Sequence, residues 1–178
     1  RLVGGDTTRG PLSITVTAMG TVPVAQALRR DGARPGDDLY VSGTLGDAGL
    51  GLRLTLEQWP DAIEPQNQAI ALERLNRPQP RLALGLALRD LATACMDVSD
   101  GLAQDLSHLL RASQVGAELN LDALPLSPAL QAIDPAFATS FALTSGDDYE
   151  LLFTAPVHAR DAIARLPIPC QRIGCITE

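Results

Sequence analysis

Three short acidic strings hold the residues best suited to chemistry: Gly4-Gly5-Asp6-Thr7, Met96-Asp97-Val98-Ser99-Asp100-Gly101 and Ser145-Gly146-Asp147-Asp148-Tyr149-Glu150. Each sets carboxylates beside glycine and a hydroxyl residue at the boundary of a predicted element. Hard oxygen donors in loops suit magnesium, which keeps several waters and binds through a few carboxylates together with substrate phosphates. Asp97 and Asp100 are the most informative pair. Asp97 ends a short apolar run and Asp100 opens a helical pattern, so a strand-to-helix corner would project Asp97 toward the cleft at the strand's carboxyl end. The helix amino terminus beside it offers N–H groups to a phosphate, with Ser99 or Asp100 as its cap. Taken singly, each string also fits a turn or a helix cap. Their occurrence together points to metal-assisted phosphate binding.

The net charge of −7 is consistent with that chemistry and narrows the partners. An acidic surface repels nucleic acid and anionic lipid, so neither is expected to bind. It repels a phosphate substrate too, unless cations bridge the carboxylates. All 14 basic residues are arginine. Without lysine the chain holds no Walker-type P-loop and no Schiff-base residue. Cys95, Cys170 and Cys175 lie in apolar stretches without C-x-x-C spacing, which fits free thiols in a reducing cytoplasm. His108 and His158 do not sit near paired cysteines, so no zinc site is predicted. No apolar run is long enough to span a bilayer as a helix. The opening Arg1–Asp6 and the closing Arg172–Ile176 resemble the interior of a longer polypeptide.

The elements that must position these residues follow from periodicity. Alternation predicts strands over Leu12–Val22, Asp38–Thr44, Cys95–Val98, Gly116–Leu121, Tyr149–Thr154 and Cys170–Ile176. Helical spacing predicts helices over Gly46–Trp59, Gln66–Leu75, Arg81–Ala92, Ser99–Ser113, Ser127–Ile133, Pro135–Phe141 and Val157–Leu166. Asp47 falls in a positive first turn, and Leu102, Leu106, Leu109 and Leu110 make one apolar face. Trp59 is expected in a core rather than as a stacking platform. The alternation of strands and helices makes the class α/β or α+β.

The same strings, with Leu2-Val3 and Thr8-Arg9-Gly10-Pro11-Leu12, Gly32-Ala33-Arg34-Pro35-Gly36-Asp37, Val41-Ser42-Gly43-Thr44 and Leu151, resemble in order and spacing the thiamine-monophosphate kinase family of the PurM/AIR-synthetase-like superfamily. The resemblance implies a two-domain α/β protein. Residues 1–25 would be the remnant of an amino-terminal, dimerising ATP- and magnesium-binding domain. Residues 26–178 would form an incomplete AIR-synthetase C-terminal-like domain, with a mixed sheet and flanking helices. It further implies ATP as co-substrate, thiamine monophosphate as acceptor, several magnesium ions and a homodimer in the full-length protein. Gly5, Asp6, Arg30 and Ser99 would contact ATP; Asp6, Asp97 and Asp100 would hold metal; Glu150 would help bind the thiamine phosphate. The acceptor is a phosphate oxygen already ionised near neutral pH, so no enzyme nucleophile or strong base is called for. The family's upstream Gly-Asp-Asp and Ser-Thr-Asp metal motifs are missing from the sequence, as is a downstream aromatic partner for the substrate. The isolated chain is therefore expected to have little or no activity. A selenophosphate or AIR synthetase, or a non-catalytic interaction module, are the competing readings. EF-hand spacing is absent, which disfavours a calcium site.

Overall fold

The computed structural model describes residues 3–178; Arg1 and Leu2, the first letters of the amino-terminal motif, lie outside it. Five strands form one sheet: β1 (Asp38–Ser42), β2 (Ala94–Val98), β3 (Gly116–Leu119), β4 (Glu150–Ala155) and β5 (Cys170–Thr177). Their spatial order is β2-β4-β1-β5-β3. Every pairing is antiparallel, where a mixed sheet was expected. Alternation marks which residues face a core but not which way the neighbouring strand runs.

The helices are α1 (Asp47–Thr55), α2 (Pro65–Asn76), α3 (Leu82–Ala87), α4 (Leu102–Ser113), α5 (Pro128–Gln131), α6 (Pro135–Thr144) and α7 (Arg160–Ile163). Side-chain caps start two of them: Ser127 accepts from the Ala129 and Leu130 amides, and Asp134 from that of Ala136. Pro65, Pro128 and Pro135 sit in first turns, where a missing N–H costs nothing. Several predicted helices are shorter than expected: α1 ends at Thr55, α4 begins at Leu102 and α5 ends at Gln131. Residues after Ala87 tighten into a 3₁₀ turn, and Val157–Ala159 is a 3₁₀ turn leading into the single turn of α7.

Both faces of the sheet are covered. Leu39, Val41, Val98, Leu152 and Ile173 pack against Leu102, Leu106 and Leu109 of α4 on one face. On the other, Tyr40, Cys95, Phe153 and Ala155 meet Leu84, Leu88 and Ile163. Tyr40 and Phe153, cross-strand partners, stack with ring centroids 5.2 Å apart. A third cluster joins α1, α2, α5 and α6 through Leu50, Ala71, Leu130 and Ala138. Gly51 allows α1 to lie against α2, since a Cβ there would come within 2.4 Å of the Ala71 carbonyl oxygen.

The predicted strand over Leu12–Val22 does not form: among the described residues no strand precedes Asp38, and Leu12, Ile14 and Val16 are exposed. Its alternation defines an apolar face, but a strand needs a neighbour to satisfy its backbone, and none among the described residues pairs with it. None of the described helices is long and apolar enough to cross a membrane.

Candidate active site

The acidic corner predicted at Asp97–Asp100 exists, but its local construction differs from expectation. β2 is an edge strand. Its Ala94, Met96 and Val98 face the α4 core, which leaves Cys95 and Asp97 on the opposite face and Asp97 exposed. Helix α4 begins at Leu102, not Ser99. Gly101, at φ 108°, makes the turn, and Asp105 reaches back to accept from the Ser99 amide at 2.9 Å and the Asp100 amide at 3.0 Å. A buried carboxylate inside the first turn thus replaces Ser99 or Asp100 as the cap. Two N–H groups expected to be free for an anion are already bonded. The Asp100 carboxylate is left exposed, with only Gln104 Nε2 at 3.1 Å.

Arg30 is brought to this corner. The backbone before it runs beside β2, where the Cys95 amide donates to the Arg29 carbonyl at 2.8 Å. Arg30, Met96, Asp97 and Ala112 share a recess of about 480 Å³. Asp97 also borders an apolar recess of about 640 Å³ formed with Arg81, Leu82, Leu86, Tyr149 and Leu151. Gly5 and Asp6 are not joined to the corner. A Cβ at Gly5 would meet nothing within 4 Å, and the Asp6 carboxylate accepts only the adjacent Thr7 amide, at 2.8 Å.

The Ser145–Glu150 string abuts the same corner. The Asp147 amide donates to the Ser99 carbonyl at 2.9 Å, and the Tyr149 amide to that of Val98 at 2.8 Å. Gly146 permits the approach: a Cβ would fall 2.4 Å from the Ser99 carbonyl oxygen. Asp147 and Tyr149 both take left-handed backbone angles, φ 66° and 51°. The three acids in this string have separate fates. Asp147 is exposed. Asp148 is buried and accepts the Gly46 amide at 2.8 Å, while its other oxygen has no partner; burial pushes its carboxyl up to about 7. Glu150, expected to bind substrate, is fully buried. Its carboxylate accepts from Arg74 at 2.8 Å, from Arg81 at 2.5 and 2.7 Å, and from the Ser42 hydroxyl at 2.5 Å, which leaves it no open face.

Asp147 belongs to the third acidic string, although the resemblance assigned a role there to Glu150 alone. It lines a second 640 Å³ recess with Trp59, Phe137 and Phe141, near Arg53 and Asp61. Trp59 meets Phe137 edge-on at 5.5 Å; it packs against the third core cluster and also walls the recess, and its Nε1–H is buried without an acceptor. Residues 147–149 precede β4 and include two left-handed positions, so no strand periodicity in the sequence separates Asp147 from Glu150.

Neither Cys95 nor Cys170 is an activated nucleophile. Burial pushes the Cys95 thiol up to about 12 and Cys170 to about 11, and all three cysteines are free. Among the described residues no three carboxylate, imidazole or thiol groups close around one point. The exposed Asp97, Asp100 and Asp147 are an open set of hard oxygen donors. That fits a cation which completes its shell with phosphate oxygens and water, not one held in a protein cage.

An antiparallel sheet covered by helices on both faces, with acidic loops gathered at the end of its edge strand, defines an α+β domain built to present carboxylates to solvent. The chain belongs to the family of the AIR synthase related protein, C-terminal domain, whose model matches residues 34–178. It is similar to thiamine-monophosphate kinase of Salmonella typhimurium, at 45% identity over 98% of this chain and 55% of that one. The crystal structure of thiamine-monophosphate kinase from Stenotrophomonas maltophilia superposes with a TM-score of 0.79 at 46% identity, covering 86% of this chain and 51% of that one. A structure of AaThiL complexed with AMPPCP and TMP superposes with a TM-score of 0.73 at 37% identity, covering 85% and 48%. The chain thus spans about half the length of the relatives it matches.

Proposed function

We propose that the chain is the carboxy-terminal part of an enzyme that transfers the γ-phosphoryl group of ATP to thiamine monophosphate, giving ADP and thiamine diphosphate. Residues 1–25 would then belong to a preceding domain, and the whole protein would be a homodimer. The observation that carries this reading is the Asp97–Asp100 corner beside Arg30, in a chain whose relatives bear the kinase name.

Asp97 and Asp100, joined by Asp6 once the amino-terminal segment is packed, would hold magnesium; Asp6 with Gly5, Arg30 and Ser99 would contact ATP. Magnesium bound there would neutralise charge on the phosphates and hold them for in-line transfer. Arg30 lies in the same recess as Asp97 and would draw a phosphate toward that corner. Trp59, Phe137 and Phe141 offer flat apolar walls, with Asp61 and Asp147 beside them, suited to a planar cationic heterocycle. A phosphate acceptor is already ionised, which accounts for a site with no nucleophile–base pair.

Calorimetric titration of the chain with magnesium and the ATP analogue AMPPCP tests this. Metal-dependent nucleotide binding is expected, weakened at least about tenfold in Asp97→Asn and Asp100→Asn, since each removes a charged contact of roughly 1.5–3 kcal/mol. Nucleotide binding that ignored both metal and these substitutions would refute the reading.

A further inference from the structure

We propose that Glu150 is a positioning residue: its buried carboxylate, clamped between Arg74 and Arg81, latches the Ser145–Tyr149 turn against the Asp97–Asp100 corner and so sets the spacing of the exposed acids. The turn needs such a latch. Asp147 and Tyr149 hold left-handed backbone angles without being glycine. Strain of this kind persists only where the surroundings enforce it.

Glu150 collects the enforcing contacts at one point. Arg74 reaches it from the last turn of α2, and Arg81 from just before α3. The same Nη2 of Arg74 that donates to Glu150 also donates to the Asp148 carbonyl at 3.2 Å, so the ion pair and the strained turn share a donor. Ser42, at the end of β1, donates to Glu150 and accepts the Leu151 amide at 2.9 Å. Gly43 leaves space for the carboxylate, since a Cβ there would sit 2.2 Å from Oε1. The far side of the turn is fixed to the corner by the Asp147 and Tyr149 amides. A carboxylate that is fully buried and answered by two guanidinium groups is costly to create and strongly disruptive to break by removing one partner.

The molecule contains its own control. Asp38, at the other end of β1, is also buried between two arginines, Arg160 at 2.6 Å and Arg172 at 2.5 Å. Removing its charge disturbs a buried carboxylate that also holds two arginines, here about half exposed, without touching the acidic turn.

Amide hydrogen exchange of Asp147 and Tyr149 decides the matter, measured in the wild-type chain, Glu150→Gln, Arg74→Gln and Asp38→Asn under conditions where each is folded by circular dichroism. Glu150→Gln and Arg74→Gln are expected to lower protection of these two amides at least about tenfold, with Asp38→Asn leaving them within about twofold. Undiminished protection in Glu150→Gln, equal losses in Asp38→Asn, or unprotected amides in the wild type would each overturn the latch. Should Glu150→Gln not fold, Arg81→Gln, whose guanidinium bonds Glu150 and not the turn, takes its place against Asp38→Asn with the same expected loss of protection. A second arm rests on the phosphoryl-transfer reading: Mn²⁺ titrated by electron paramagnetic resonance should bind at least about tenfold more weakly to Glu150→Gln than to Asp38→Asn. A wild-type chain that bound no Mn²⁺ would sink the metal reading, and the exchange data would still judge the latch.

Discussion

Replacing Asp148 by asparagine should make the chain more stable at neutral and alkaline pH, by a margin that shrinks as pH falls toward 3.8. Asp148 sits under the acidic turn, 1% exposed, and burial is the largest influence on its carboxyl, pushing it from the usual 3.8 up to about 7. The Gly46 amide and Arg74 act in the opposite direction, and Asp47 and Glu150 add to the rise. The folded chain therefore holds a proton that the unfolded chain releases near pH 3.8. Stability from this group is complete below that value, declines as pH rises, and is gone above about pH 7. Each tenfold difference in proton affinity between the folded and unfolded chain is worth about 1.36 kcal/mol, so the loss across the window is on the order of 4 kcal/mol. Asparagine keeps the size and can still accept the Gly46 amide, yet has no proton to lose. Urea unfolding of both proteins at half-unit steps from pH 5 to 8, followed by far-ultraviolet circular dichroism, measures the difference. The wild-type midpoint should fall relative to Asp148→Asn from pH 5 to about pH 7 and level off above it. Parallel profiles would refute the argument, because they would mean that Asp148 ionises in the folded chain as readily as in the unfolded one.

Two further predictions concern other parts of the molecule. Gly51→Ala places a Cβ 2.4 Å from the Ala71 carbonyl oxygen and should lower stability by about 1–3 kcal/mol through forced separation of α1 and α2, measured by the urea midpoint. Trp59 is the chain's one tryptophan, so its emission reports on the aromatic recess; added thiamine monophosphate should quench it, and Phe137→Ala should weaken the response about fivefold or more by removing one aromatic wall.

Much of the fold was legible because its elements carry local signals. The four leucines spaced for one face of α4 could hardly serve another structure, and Pro65, Ser127 and Asp134 mark helix starts by their own chemistry. Leu12–Val22 shows where this reasoning stops. Alternating Ile and Thr describe a surface for pairing, and pairing depends on a second strand. The Asp97–Asp100 corner was legible as a juncture of two patterns, whereas its cap was not. Asp105 lies within the helix and turns back on Ser99 and Asp100 across the turn that Gly101 makes at φ 108°. Glu150, expected at the substrate, and Asp147 of the same string end in different surroundings. One is withdrawn beneath two arginines from distant segments, and the other is left facing the aromatic recess.

Residue types and their spacing were enough to say which residues could carry charge to a phosphate, that these are carboxylates and arginines rather than lysine or thiolate, and where most of the helices and strands from Asp38 onward lie. These properties belong to side chains and their near neighbours. Which carboxylates stay in water was settled by packing. Asp97, Asp100 and Asp147 remain exposed, and Asp38, Asp105, Asp148 and Glu150 are taken inside. Burying an acid requires partners to answer its charge or a proton to remove it. Those partners come from residues far along the chain, such as Arg74 and Arg81 for Glu150 or Arg160 and Arg172 for Asp38, and only the packed fold brings them together.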